Sequence, residues 1–294
     1  VLLLAVSVAS IGQRRRWKQF RNEVVLGIGA TNFLGELGGA DQVGTDFYKD
    51  FELQLTRPAI NIGWRYKITP QTAVKAGLTW GAVAGDDALT TEVHRANRSI
   101  HFQSHIIEFA AQYEFYLKKE KAGHRFKLRG VKGRKAQGLY PYGLFGISVF
   151  YFNPRAKGED GEWTSLRNLG TEGQFTPQAE TRSPYSRISV AIPIGIGLKW
   201  KIDRRIFVGI EFGKRKTFTD YIDDTSTTYW PNAQIQSEVG TTAAYYADPT
   251  KGTWIGSGSN QQRGDPTDND SFMFLLLTFN YTMKSTRGGL PKFR

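Results

Sequence analysis

Apolar and small or polar residues alternate along most of this chain, most regularly between Tyr185 and Asp224. Ile188, Val190, Ile192, Ile194, Ile196, Leu198 and Trp200 take every second position there, with Ser189, Ala191, Pro193, Gly195, Gly197 and Lys199 between them. Side chains alternate across a strand, so one face is a continuous apolar ribbon and the other is narrow and hydrophilic. The ribbon is longer than an ordinary half-buried strand of about five or six residues, and supplies the roughly nine to eleven that a tilted strand needs to cross a bilayer. After a polar turn around Asp203 and Arg204, a second alternating run returns through Ile206, Val208, Ile210 and Phe212. The pair reads as a hairpin of a transmembrane β-barrel with its isoleucine face in lipid.

The same period marks six further strands: Asn22–Thr31, Leu53–Lys67, Thr72–Ala84, Ser99–Leu117, Leu139–Asn153 and Ser271–Met283. In Ser99–Leu117, Ile107, Phe109, Tyr113 and Phe115 share one face, and Glu108 and Glu114 share the other. Carboxylates opposite aromatics indicate a polar lumen behind a lipid-facing wall. The predicted fold is all-β, an eight-stranded antiparallel transmembrane β-barrel with long extracellular loops, over residues 13–283.

Composition modifies this picture little. Glycine is abundant (32 residues), which suits strands packed tightly around a small lumen. Mean hydropathy is −0.40, a value that suggests solubility for most folds; in a barrel, half of each strand and all the loops are polar. Cysteine is absent, which excludes disulfides and thiolate metal sites. Val1–Gly12 reads as the remnant of a signal peptide, with cleavage expected before Gln13, and residues 284–294 as a basic periplasmic tail.

The net charge of +12 raises the question of nucleic acid, but no recognition module accompanies it. The charge is instead sorted by segment. Barrels of this class carry short periplasmic turns, long outer loops and internal termini. That rule puts Arg14–Arg21, Lys118–Gly138 and the tail on the periplasmic side, and the acid-rich loop Thr219–Asp270 outside. Within Lys118–Gly138, Lys118, Lys119, Lys121, Arg125, Lys127, Arg129, Lys132, Arg134 and Lys135 form a candidate partner-binding surface. Contact with anionic lipid head groups is the simpler alternative for such a cluster.

Two constellations bear on chemistry. His101, Gln103 and His105 share a strand face, while Ser104 points the other way, so a base–nucleophile pair is not expected to assemble. Asp220, Asp223 and Asp224 are outer-loop candidates for ligand or calcium contact, but lack the glycine turn and terminal acid of an EF-hand. A structured loop base is the competing reading, with the aspartates capping backbone N–H groups and Lys214, Arg215 and Lys216 close by. No metal, cofactor or phosphate-loop spacing is expected.

Several segments together resemble one family: GATNFLGELGGADQVGTDF, FELQLTRPAINIGWRYKI, PYGLFGISVFYFNPRAK, the run from Ala191 to Tyr229, and QRGDPTDNDSFMF. Arg215–Tyr229 and Arg263–Phe274 are the most specific pieces. The chain is similar to the PorG-like outer-membrane β-barrel proteins of the type IX secretion system and their close relatives. The resemblance implies a small barrel associated with a periplasmic ring, formed by a lipoprotein and its partner, in the machine that exports cargo and gliding adhesins. It also implies a protein without catalytic residues, and so no enzyme. The expected partners are therefore outer-membrane lipid and the ring lipoprotein with its ring partner. The alternative is a stand-alone surface barrel that binds a ligand through its acidic outer loops.

Overall fold

The computed structural model describes residues 17–35, 37, 54–90, 92–120, 138–177, 182–203, 205–285 and 291–292. Eight long strands form the wall: β1 (Asn22–Leu34), β2 (Arg57–Lys67), β3 (Thr72–Asp86), β4 (His101–Tyr116), β5 (Leu139–Tyr151), β6 (Ile188–Lys201), β7 (Ile206–Thr217) and β8 (Ser271–Ser285). Each pairs antiparallel with its neighbours in sequence, and β8 pairs with β1, which closes the sheet. Closure leaves no strand edge in the wall, as a bilayer requires.

The register fixes the shape. Crossing perpendicular to the strands from Asn22, the path runs through Tyr66, Val74, Tyr113, Phe145, Ile194, Lys214 and Met273, and returns to β1 at Asn32. The return is displaced by ten residues. Ten rises of about 3.3 Å against eight spacings of about 4.8 Å tilt the strands by about 41° and set a backbone radius near 8 Å, which is roughly the size that side chains alone can fill. The outward face carries a belt of exposed large apolar residues, including Ile147 at 72% and Ile196 at 67%. A continuous belt of that kind is tolerated only against lipid. Among the described residues no helix is long and apolar enough to span a membrane.

The strands run further than their alternation indicated at several ends. β1 continues to Leu34, β3 to Asp86 and β7 to Thr217, while β2 starts at Arg57, after a turn at Gln54 and Leu55. β8 extends through Lys284 and Ser285, where Pro291 and Lys292 pair with it, so the first residues of the expected tail are strand. The outer loops hold more order than expected. Pro154–Lys157 and Trp163–Ser165 form a short hairpin whose first strand pairs with β4. Three short helices stand above the wall: α1 (Val93–Arg98), α2 (Asn232–Glu238) and α3 (Thr241–Ala247). The expected signal remnant, residues 1–12, lies outside the described residues.

Candidate functional site

The inward-facing side chains divide the lumen into two levels. Near the short-turn end they are charged. Arg65 Nη1 donates to Glu23 at 3.1 Å and to Asn280 at 2.6 Å, and its Nη2 donates to Glu114 at 3.0 Å. Lys199 Nζ lies 2.7 Å from both oxygens of Glu23, and Lys75 Nζ lies 2.6 Å from both oxygens of Glu211. Lys67 bridges Glu23 and Glu120, while the hydroxyls of Tyr116 and Tyr142 donate to Glu114 and Glu211. These groups come from all eight wall strands and tie the wall together across its interior. Towards the outer end the filling becomes aromatic. Phe150 packs edge-on against Phe272 at 5.3 Å, Phe272 against Phe274, and Arg215 lies over the Phe274 ring while pairing with Glu108.

Above the aromatic layer, residues from all four outer loops converge on a second buried polar network. Glu172 accepts from Arg263 Nη1 at 3.0 Å, from the backbone N–H of Ser226 and Thr227, and from the Thr227 hydroxyl at 2.6 Å. Asp224 accepts from the Tyr185 hydroxyl at 2.6 Å and from the Thr171 hydroxyl. Asp223 accepts from the backbone N–H of Thr225 and, across loops, of Leu37. Arg98, at the end of α1, grips Asp87 through Nε and Nη2 and donates from Nη1 to the Arg263 carbonyl. The loops are thereby fastened to one another as a platform that caps the barrel.

The electrostatics of the platform are unusual. Burial raises the Asp223 carboxyl to about 7, although Arg98 and Arg263 pull it back, and raises Asp224 to about 6 against the opposing pull of Arg263. Asp220 is pushed up to about 8, by burial first and then by the neighbouring charges of Asp223, Glu172 and Asp265. Neither Asp220 oxygen meets a donor at hydrogen-bond geometry. The Ser226 hydroxyl beside it draws the value back only in part.

The structure places the sequence candidates as follows. Asp220, Asp223 and Asp224 lie beneath the loops, where Asp223 accepts from backbone N–H groups and Asp224 from hydroxyls of the protein itself. Lys214, Arg215 and Lys216 do not accompany them. Arg215 turns inward to Glu108, and Lys214 and Lys216 lie on the outer face of β7, because consecutive strand residues face opposite ways. Ser104 is buried and accepts from Asn153 N–H, His105 stacks on Trp80 at 5.8 Å, and His101 Nε2 accepts from Lys157 N–H, so the three do not form a catalytic group. Lys118 and Lys119 are exposed at the short-turn end. Lys121, Arg125, Lys127, Arg129, Lys132, Arg134 and Lys135 lie outside the described residues. The described residues hold no cluster of three or more metal-ligating side chains. The lumen network was only half visible beforehand: Glu108 and Glu114 signalled it, whereas Glu23, Arg65 and Lys199 needed the register to meet.

Several solved outer-membrane barrels are similar in fold. Ail of Yersinia pestis, solved with the heparin analogue sucrose octasulfate, is 9% identical, matches 90% of this chain and 99% of its own, and gives a TM-score of 0.40. Neisserial surface protein A is 7% identical over 88% of this chain and 96% of its own, with a TM-score of 0.39. The outer-membrane enzyme PagL is 12% identical over 88% of this chain and 98% of its own, with a TM-score of 0.30. The expectation of a non-enzyme is therefore withdrawn, because barrels matching this chain include an enzyme. No curated protein sequence matches the chain. The family model for the outer membrane protein beta-barrel domain matches residues 1–245. With that match over most of its length, on a closed eight-stranded wall belted for lipid, the chain belongs to this family of bacterial outer-membrane β-barrels.

Proposed function

We propose that the barrel is an anchor in the outer membrane that holds the periplasmic ring of a type IX secretion machine through its periplasmic end. The observation that carries this reading is the filled lumen. Ion pairs occupy one level and packed aromatic rings the other, so the wall offers no passage for a protein cargo and the work falls to the ends. The periplasmic end is cationic: Lys118 and Lys119 project from it at the root of the basic segment that continues through Lys121, Arg125, Lys127, Arg129, Lys132, Arg134 and Lys135. The resemblance over Arg215–Tyr229 and Arg263–Phe274 supplies the ring as partner, and complementary charge would set its orientation and rate of association. Charge reversal at Lys132, Arg134 and Lys135 is expected to reduce recovery of the ring lipoprotein in a mild-detergent pull-down by at least about tenfold, while the barrel still folds. Full recovery with the reversed charges would remove the basic segment as the dock.

A second reading is favoured by one feature of the outer end. Val93 is 68% exposed and Ile255 94% exposed, on α1 and a neighbouring loop turn, where His94 meets Trp254 edge-on at 6.2 Å. Apolar tips on a fastened platform suit capture of a ligand or a surface partner. This reading expects function to be lost when Thr225–Asp265 is shortened, whereas the anchor reading expects partial tolerance.

A further inference from the structure

We infer that the periplasmic mouth of the lumen is a carboxylate-binding site, held here by the chain's own Glu120 and built to take an acidic segment of a periplasmic partner in its place. The choice of partner rests on the anchor reading above; the site itself rests on the lumen alone. Three lysines of the wall converge at this mouth. Lys67 ends β2, and Lys199 and Lys201 lie at the end of β6. Their ammonium groups stand 5.4, 4.0 and 5.4 Å from the centre of the buried Phe207 ring. An aromatic face gathers cations, but it satisfies few of the three N–H donors that each ammonium carries. Carboxylates have to meet the rest.

Glu23 and Glu120 do so for Lys67 and Lys199. Glu23 of β1 lies 2.6 Å from Lys67 and 2.7 Å from Lys199, and Arg65 leans on it as well at 3.1 Å. Glu120 pairs with Lys67 and reaches Lys199 at 4.0 Å. The two carboxylates are held differently. Glu23 is fully buried on a wall strand, as the lysines are. Glu120 lies past the end of β4, its side chain is 22% exposed, and its backbone N–H donates to the Pro70 carbonyl at 3.3 Å. The exchangeable member of the site is therefore Glu120. A buried cation that loses its carboxylate is strongly destabilising, so Glu120 departs only as another carboxylate arrives. Its position suits such an exchange. Glu120 stands at one root of the basic segment, and at the other root Gly138 accepts from the Lys201 N–H at 3.0 Å. Both roots are thus fastened at the mouth, and an acidic strand drawn along the segment meets the lysines at its base.

The test uses the full protein in mild detergent, with no ring component present. Lysines are acetylated with an amine-reactive ester, and rates are read residue by residue by mass spectrometry. Lys251 of the outer platform, 63% exposed, is the reference. Glu120→Ala is expected to raise the rates at Lys67 and Lys201 by at least about tenfold, because the mouth loses the carboxylate that covers it. Hexaglutamate is expected to return both to the wild-type rate, whereas inorganic phosphate, or acetate at equal carboxylate concentration, is not. Unchanged rates in Glu120→Ala, no protection by hexaglutamate, or equal protection by acetate or phosphate would each overturn the inference. Heat-modifiable gel mobility reports whether the variant is folded. Should it not fold, slowing of Lys67 and Lys201 acetylation by hexaglutamate on the wild-type barrel decides alone. Failure here leaves the anchor reading standing, and full ring recovery with Lys132, Arg134 and Lys135 reversed removes that reading without altering these rates.

Discussion

At the scale of single residues, the aspartates of the outer platform make a prediction about pH. Asp220, Asp223 and Asp224 hold protons in the folded platform up to about 8, 7 and 6, well above an unfolded aspartate. Between an unfolded pKa near 4 and these raised values, the folded loops bind more protons than the opened ones, so stability falls as pH rises. Their contribution is complete below about pH 4 and is lost as pH climbs through 6 to 8. Protease cleavage of the outer loops should accelerate by at least about tenfold between pH 5 and 8, since each pKa unit of differential protonation is a factor of ten. Asp220→Asn, which cannot ionise, should flatten much of that rise. A cleavage rate independent of pH would show that these carboxyls are ionised and paired. None of this was legible from the sequence. Three aspartates after Thr219 read as a ligand surface or as caps, and only the packing of Leu37, Tyr185 and Arg98 around them shows which.

At the scale of elements, alternation was the reliable signal, because a lipid-facing ribbon imposes period two over a whole strand. It located all eight strands and separated Ser104 from its histidine neighbours. It was also the feature overlooked in Lys214–Arg215–Lys216, where a basic triplet reads as one patch although the strand sends its centre into the lumen. The short helices α2 and α3 were missed because seven residues each give little periodic pattern, and the Pro154–Lys157 strand because four residues show no ribbon. One close approach inside the wall ties elements together. Tyr142 of β5 lies flat over Gly197 of β6, where an added Cβ would come within 2.2 Å of the ring. That contact holds the Tyr142 hydroxyl on Glu211 at 2.8 Å. Gly197→Leu should displace the ring and destabilise the barrel by about 1–3 kcal/mol through overpacking and a lost buried hydrogen bond. Urea unfolding followed by tryptophan fluorescence checks this, and an unchanged midpoint would mean that the lumen is looser than the register implies.

At the scale of the whole molecule, three levels stack along one axis: a charged lumen at the periplasmic end, an aromatic layer above it, and a fastened loop platform outside. The fold was readable because its repeating constraint, lipid against one face of every strand, is written in each strand separately. The lumen and platform were not, since their partners are brought together from as far apart as Glu23 and Lys199, or Asp87 and Arg98 with Arg263. Closed interior and structured ends make the location of partners the central question. Site-specific photo-crosslinking in living cells addresses it directly, with the reactive group placed at Lys118 or Lys119 on one end and at Val93 or Ile255 on the other. The anchor account predicts adducts from Lys118 and Lys119 with a periplasmic ring lipoprotein or its partner. Adducts arising only from Val93 and Ile255, with none at the periplasmic end, would contradict it and assign the function to the outer platform.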